Sequence, residues 1–168
     1  MKVVSLIRDK IVQDETYVRS AVIDQGTSKI GYIMLPEFYA NFNDPSDPHQ
    51  SALDVENEVR KLKAAKVDGI VIDLRKNGGG SLSEVVKMAG MFIGHGPIVQ
   101  VKSRGRQPEV LKDNDGGVLW DGPLAVMVNE FSASASEIFA AAMQDYGRAV
   151  IIGSTSTYGK GSVQRSIG

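Results

Sequence analysis

The chain has 168 residues, 42% of them hydrophobic and 23% charged, an ordinary balance for one globular domain with an adequate core. A formal charge of −1 and a pI near 6.1 argue against a nucleic-acid or anionic-membrane surface, and no apolar run approaches the roughly 20 residues that span a bilayer. The absence of cysteine removes thiol catalysis, disulfides and cysteine metal sites.

The opening Met1-Lys-Val-Val-Ser-Leu-Ile-Arg8 has too short an apolar stretch for a signal peptide. Val3 to Arg8 and Tyr17 to Asp24 read as strands joined by a charged turn, and Lys29 to Leu35 reads as a third. Pro36 ends that strand and is expected to open a short helix, because proline suits a first helical turn. Phe38, Tyr39 and Phe42 would bury one small face of it. The stretch from Asn43 to Gln50, with two prolines, is the clearest loop. From Ser51 the apolar positions Ala52, Val55, Val59 and Leu62 fall at helical spacing. Gly69 to Leu74 is a buried-type strand, ended by Asn77-Gly-Gly-Gly80.

Ser81 to Ile93 is predicted as a second helix, with Ser81 and Glu84 spaced as a capping box. Ile98 to Val101 reads as a strand, and Ser103 to Asp121 as a polar, glycine-rich hairpin or loop carrying Trp120. Leu124 to Val128 is a buried strand, Ser134 to Tyr146 a third helix, and Ala149 to Ile152 a further strand. Strand, helix and strand alternating at these spacings predict an α/β domain with parallel crossovers.

Three stretches can carry chemistry. Phe131-Ser-Ala-Ser-Ala-Ser-Glu137 sets small residues and serines where a helix begins. Ser134 with Glu137 fits a capping box, so Ser134 can be an N-cap; the same helix N-terminus also suits an alkoxide or oxyanion. Ser132 and Ser136 remain alternative nucleophiles at this point. Lys160, between Gly159 and Gly161, is either a solvated loop lysine or a base. As a base it needs a pKa far below about 10.4, hence burial without a carboxylate partner. Its sequence neighbours include no acid. Gln164 would lie on the same side of an extended segment and could bond the amine without adding charge. Asn77 to Gly80 is either a tight strand-to-helix turn or a place where a carbonyl can approach backbone N–H groups.

Other mechanisms fail on spacing. A P-loop needs four residues between its first glycine and Gly-Lys, then Ser or Thr; here five residues separate Gly153 from Gly159-Lys160, and Gly161 follows. The two histidines, His49 and His95, lie in turn-like contexts with no Gly-x-Ser-x-Gly elbow to complete a triad.

Asp73-Leu-Arg-Lys-Asn-Gly-Gly-Gly80, Phe131-Ser-Ala-Ser-Ala-Ser-Glu-Ile-Phe139 and Tyr158-Gly-Lys-Gly-Ser-Val-Gln164 together resemble the C-terminal processing (tail-specific) peptidases, most densely from about Val67 to Gln164. The resemblance implies an α/β core of the crotonase/ClpP-like ββα-spiral kind, truncated at both ends. Residues 1–12 would close a preceding PDZ domain and residues 13–168 would form the peptidase core. It implies a serine endopeptidase with a dyad of Ser134 and Lys160, the lysine positioned by Gln164. The amides of Gly79 (or Gly80) and Ala135 would hold the oxyanion, with structural support from Glu137, Asp145 and Thr157. The Gly153 to Gly159 loop is one residue longer than the family pattern.

The same resemblance implies no metal or organic cofactor. Substrates would be proteins or peptides with apolar C-termini, met in the periplasm or cell envelope of a bacterium. Nucleic acid would play no part, and any membrane association would come through segments outside this chain. Two other classes could share the architecture. A non-catalytic ligand-binding module would need no dyad, and an acyl-thioester enzyme would rely on paired carboxylates around its oxyanion donors.

Overall fold

In chain order the elements are β1 (Arg19–Gln25), β2 (Ser28–Met34), α1 (Ser51–Ala64), β3 (Gly69–Asp73), α2 (Leu82–Ile93), β4 (Gly96–Val101), β5 (Glu109–Asp113), β6 (Leu124–Val128), α3 (Ala135–Asp145) and β7 (Val150–Gly153). They come from a computed structural model that describes residues 16–41, 49–114 and 116–163. The strand expected at Val3 to Arg8, the 1–12 segment, Phe42, most of the Asn43 to Gln50 loop and Gln164 lie outside the described residues.

β1 and β2 form an antiparallel hairpin, and β2, β3, β6 and β7 then run parallel in the order β1-β2-β3-β6-β7. The strand order advances in one direction, so right-handed crossovers put all three helices on one face of the sheet. On that face the register sets Ile33 beside Ile72, Ile72 beside Val126 and Val126 beside Ile151. The first three are wholly buried, as are Val55 and Val59 of α1, Val85 and Met88 of α2, and Phe139 and Met143 of α3. Burying each such side chain contributes about 1.5–3 kcal/mol. Phe92 of α2 meets Phe139 of α3 edge to face, with ring centroids 5.9 Å apart. β4 covers the strand expected at Ile98 to Val101 and pairs antiparallel with β5, which lies within the Ser103 to Asp121 stretch expected as a hairpin or loop of its own. No helix among the described residues is long and apolar enough to cross a membrane.

Two expectations need correction. The segment from Pro36 to Ala40 is not helical. Phe38 N–H donates to the Gly79 carbonyl at 2.8 Å and the Phe38 carbonyl accepts from Ser81 N–H at 2.7 Å, so the proline leads an extended stretch whose hydrogen bonds go across the sheet. Phe38 is still buried, as its aromatic character demands. The capping box at Ser81 forms by half. Ser81 Oγ accepts from Glu84 N–H at 3.3 Å, whereas the Glu84 carboxylate accepts from Ala52 N–H at 2.8 Å and from Lys87 Nζ at 2.8 Å. Gln50, the N-cap of α1, offers no side-chain cap, and Glu84 fills that role from the neighbouring helix, satisfying one of the donors that every helix start leaves open.

Glu84 is 1% exposed, so its removal should strand the Ala52 N–H away from water. Glu84→Ala is expected to destabilise the fold by about 1–3 kcal/mol in urea or thermal unfolding, with Glu84→Gln, which keeps an acceptor, losing less. Equal loss from both variants would show that the Ala52 bond is not the source.

Candidate active site

The C-terminal ends of the parallel strands feed four loops into one cavity, the usual place for a site in a parallel sheet. Its volume is about 700 Å³, and its lining includes Glu37 after β2, Gly79 and Gly80 after β3, Ser134 and Ala135 after β6, and Lys160 after β7. A depression of about 770 Å³ beside α1 and α2 is lined by Glu56, Arg60, Lys63, Glu84 and Lys87 among others, and holds none of the candidate residues.

The three serines separate cleanly. Ser132 Oγ donates to the Leu74 carbonyl at 2.7 Å and accepts from Asn129 N–H at 2.9 Å. Ser136 Oγ donates to the Asn77 carbonyl at 3.0 Å. Both are fully buried, whereas Ser134 is partly exposed and lines the cavity. Ser134 has φ +55° and ψ −113°. A simple N-cap takes β-region angles, and holding a serine away from them costs about 1–3 kcal/mol. Two contacts over-determine the turn: Ala133 N–H donates to the Asn77 carbonyl at 3.0 Å, and Ser134 N–H donates to the Glu137 carboxylate at 2.8 Å.

The glycine loop is shaped by its neighbours. A side chain on Gly79, at φ +106°, would put its Cβ 2.7 Å from Ser134 Cβ; one on Gly80, at φ +133°, would run into the Phe38 carbonyl. Gly79 N–H donates to Asn77 Oδ1 at 2.9 Å, so that amide is already engaged. Phe38 pairs with Gly79 and Ser81 on either side of Gly80, which turns the Gly80 N–H away from the Phe38 strand. Neither Gly80 N–H nor Ala135 N–H, the first of α3, has a partner among the described residues. Of the two glycines left open by the sequence, Gly80 therefore has the available amide. Upstream, Asp73 accepts from the Arg75 guanidinium at both carboxylate oxygens, from Nε at 3.0 Å and from Nη2 at 2.7 Å among others, and from the Tyr32 hydroxyl at 2.6 Å, which braces the start of this loop. Burial alone would raise the Asp73 pKa, but these partners hold it below its ordinary value.

Glu137 joins the serine turn to the lysine loop. Its carboxylate accepts from Thr157 Oγ1 at 2.7 Å, Gly159 N–H at 2.6 Å, Lys160 N–H at 2.8 Å and Ser134 N–H at 2.8 Å. Tyr158 N–H also donates to the Ser132 carbonyl at 3.0 Å. The sequence offered no acid beside Lys160, yet the fold brings one to its backbone and places a second, Glu37, on the cavity wall. Lys160 itself is exposed rather than buried, and residues 160–163 carry no strand pairing. Asp145 is exposed in the last turn of α3 and is not among the cavity residues; it stands roughly 16 Å along the helix axis from Ser134. Asn77, expected only as part of a turn, stands two residues before a glycine, which is the pattern of an Asx-turn.

Residues 29–168 match the model of peptidase family S41. The chain is 40% identical over 165 residues to a tail-specific protease of Haemophilus influenzae, covering 98% of this chain and 22% of that protein. It is 40% identical over 160 residues to a carboxy-terminal-processing protease of Bartonella bacilliformis, covering 94% of this chain and 35% of the relative. Among solved structures, a photosystem II D1 C-terminal processing protease superposes with a TM-score of 0.73 at 28% identity, over 94% of this chain and 40% of that one. The chain thus spans less than half the length of each of these three proteins, and it shares its α/β architecture with the solved one.

The Glu137 tie has a pH signature. Burial alone would raise the Glu137 pKa, but the hydrogen bonds from Thr157, Gly159, Lys160 and Ser134 outweigh it and hold the carboxyl below its ordinary 4.5. A depressed folded-state pKa means that the tie is fully present above 4.5 and is lost as the pH falls through the lower folded-state value. Hydrogen exchange at the Gly159 and Lys160 amides, corrected for intrinsic rates, should be slow at neutral pH and quicken only on that acid side. Glu137→Gln, whose amide NH₂ would confront backbone donors, should exchange fast at neutral pH. Fast exchange in the wild type at neutral pH would contradict the tie.

Proposed function

The chain belongs to peptidase family S41, and on that footing we propose that it carries the serine-peptidase centre of a protein that cleaves other proteins near their C-termini. The observation that carries the reading is Ser134: a serine in a strained backbone conformation at a helix N-terminus, on a cavity shared with Lys160 and two amides that have no partner among the described residues. Strain of this kind persists only where the surroundings enforce it, and a nucleophile is a reason for them to do so.

Ser134 Oγ attacks the scissile carbonyl while Lys160 Nζ takes its proton. The carbonyl oxygen becomes an oxyanion held by the N–H groups of Gly80 and Ala135, with the positive end of α3 behind the second. Lys160 then returns the proton to the leaving amine, and water cleaves the acyl-enzyme by the reverse sequence. For this the amine must be neutral. Lys160 is exposed, so a substrate filling the cavity is what strips water from it and favours the uncharged form. Gln164 would orient the amine, and Glu137 and Thr157 hold the loop beneath it. Leu82, Ile138 and Val163 supply the cavity with apolar surface, which fits apolar substrate residues. The relatives' names support tail-directed substrates, with selection by a PDZ domain and work in the bacterial periplasm or envelope as the corresponding expectations. Acyl-thioester chemistry by paired carboxylates is disfavoured, because Glu37 is the one carboxylate among the cavity residues described.

In the complete protein, Ser134→Ala and Lys160→Ala should each lower peptide cleavage by on the order of 10⁴-fold while leaving the fold intact by circular dichroism. Lys160→Arg should be as inactive as Lys160→Ala, since a guanidinium stays protonated. Full cleavage by folded Lys160→Ala would overturn the lysine as base, and full cleavage by Ser134→Ala would overturn the nucleophile.

A further inference from the structure

We propose that Asn77 is the positioning residue that sets the two oxyanion-binding amides relative to each other, an inference that rests on the serine-peptidase reading above. Asn77 is 0% exposed. Its side chain is used at both ends: Nδ2 donates to the Leu35 carbonyl at 2.9 Å, and Oδ1 accepts from Gly79 N–H at 2.9 Å. Its main chain is used as fully: N–H donates to the Leu74 carbonyl at 3.1 Å, and the carbonyl accepts from Ala133 N–H at 3.0 Å and Ser136 Oγ at 3.0 Å. One residue thereby joins the segments that follow β2, β3 and β6.

The consequence for the site is specific. Capture of Gly79 N–H by Oδ1 takes that amide out of contention and fixes the turn in which Gly80, at φ +133°, keeps its N–H without a partner among the described residues. The Asn77 carbonyl holds Ala133 and Ser136, which flank Ser134 and Ala135. The Gly80 and Ala135 amides, which belong to different loops, are therefore spaced through a single buried side chain and its own carbonyl. The chemistry of the position selects asparagine. Aspartate would keep the acceptor for Gly79 but confront the Leu35 carbonyl with a buried negative charge. Serine can accept one bond but is too short to bridge to Leu35, and alanine supplies neither.

The test is steady-state kinetics of the complete protein on a peptide substrate, together with the affinities of a peptide aldehyde, which forms a tetrahedral adduct on a serine, and of the matching peptide alcohol, which does not. Asn77→Ala, at temperatures where circular dichroism shows it folded, should lose about a hundredfold in kcat with KM within about threefold. Its aldehyde affinity should fall by a similar factor while that for the alcohol stays nearly constant. Asn77→Ser, which retains an acceptor for Gly79, should recover part of the loss. If Asn77→Ala does not fold, Asn77→Ser decides, with a drop of about tenfold or more in kcat and aldehyde affinity expected. Wild-type kcat in either folded variant, or equal loss of aldehyde and alcohol affinity, would overturn the positioning role. Ser134→Ala assayed in parallel keeps the two readings apart: its retained cleavage would bring down the peptidase reading, whereas its inactivity beside an unimpaired Asn77→Ala would bring down only this inference.

Discussion

One carboxylate holds the lysine loop to the serine turn. Glu137 lies in the first turn of α3, where a negative charge offsets the helix dipole, and it accepts hydrogen bonds from both sides of the site: Ser134 on its own helix start, and Thr157, Gly159 and Lys160 on the loop that follows β7. That loop has no strand pairing of its own at residues 154–163. Without the Glu137 bonds and the Tyr158 to Ser132 contact, little among the described hydrogen bonds would hold Lys160 near Ser134. Four donors converging on one carboxylate also explain why its pKa is low in spite of burial.

The sheet decides where these groups can meet. Four parallel strands bring their C-terminal ends to one edge, and each contributes a loop to the same cavity. Two polar residues then divide the work. Glu137 ties the loops after β6 and β7, and Asn77 ties those after β2, β3 and β6. Gly79 is required between them because the serine turn packs directly on its Cα, leaving no room for a side chain. The strain at Ser134 is sustained by this frame, since its neighbours on both sides are anchored to buried groups.

Most of the fold was legible in the sequence because it follows from local pattern. The helical spacing of Ala52, Val55, Val59 and Leu62 and the buried runs Gly69 to Leu74 and Leu124 to Val128 answer to periodicity alone, and all appear where that places them. The expectation of a helix after Pro36 failed because a proline fits an extended lead-in equally well, and the cross-strand partners Gly79 and Ser81 lie over forty residues away. Separation in sequence likewise hid the partner of Glu84, whose carboxylate caps another helix 32 residues away rather than its own. At the site, the small-residue serine run and the flanking glycines lie in segments that the fold brings to one cavity. Burial then separated Ser134 from Ser132 and Ser136, and hydrogen bonding separated Gly80 from Gly79. Neither distinction has a local sequence signature.

The proposed chemistry therefore turns on a tetrahedral intermediate seated between two loops. Its most direct test is the structure of the complete protein with a peptide boronate, which mimics that intermediate. The predicted result is a covalent bond from Ser134 Oγ to boron, one boronate oxygen within about 3 Å of both Gly80 N–H and Ala135 N–H, and Gly79 N–H still bonded to Asn77. An adduct on a different residue, or an oxygen bound by Gly79 N–H with the Asn77 contact broken, would contradict it.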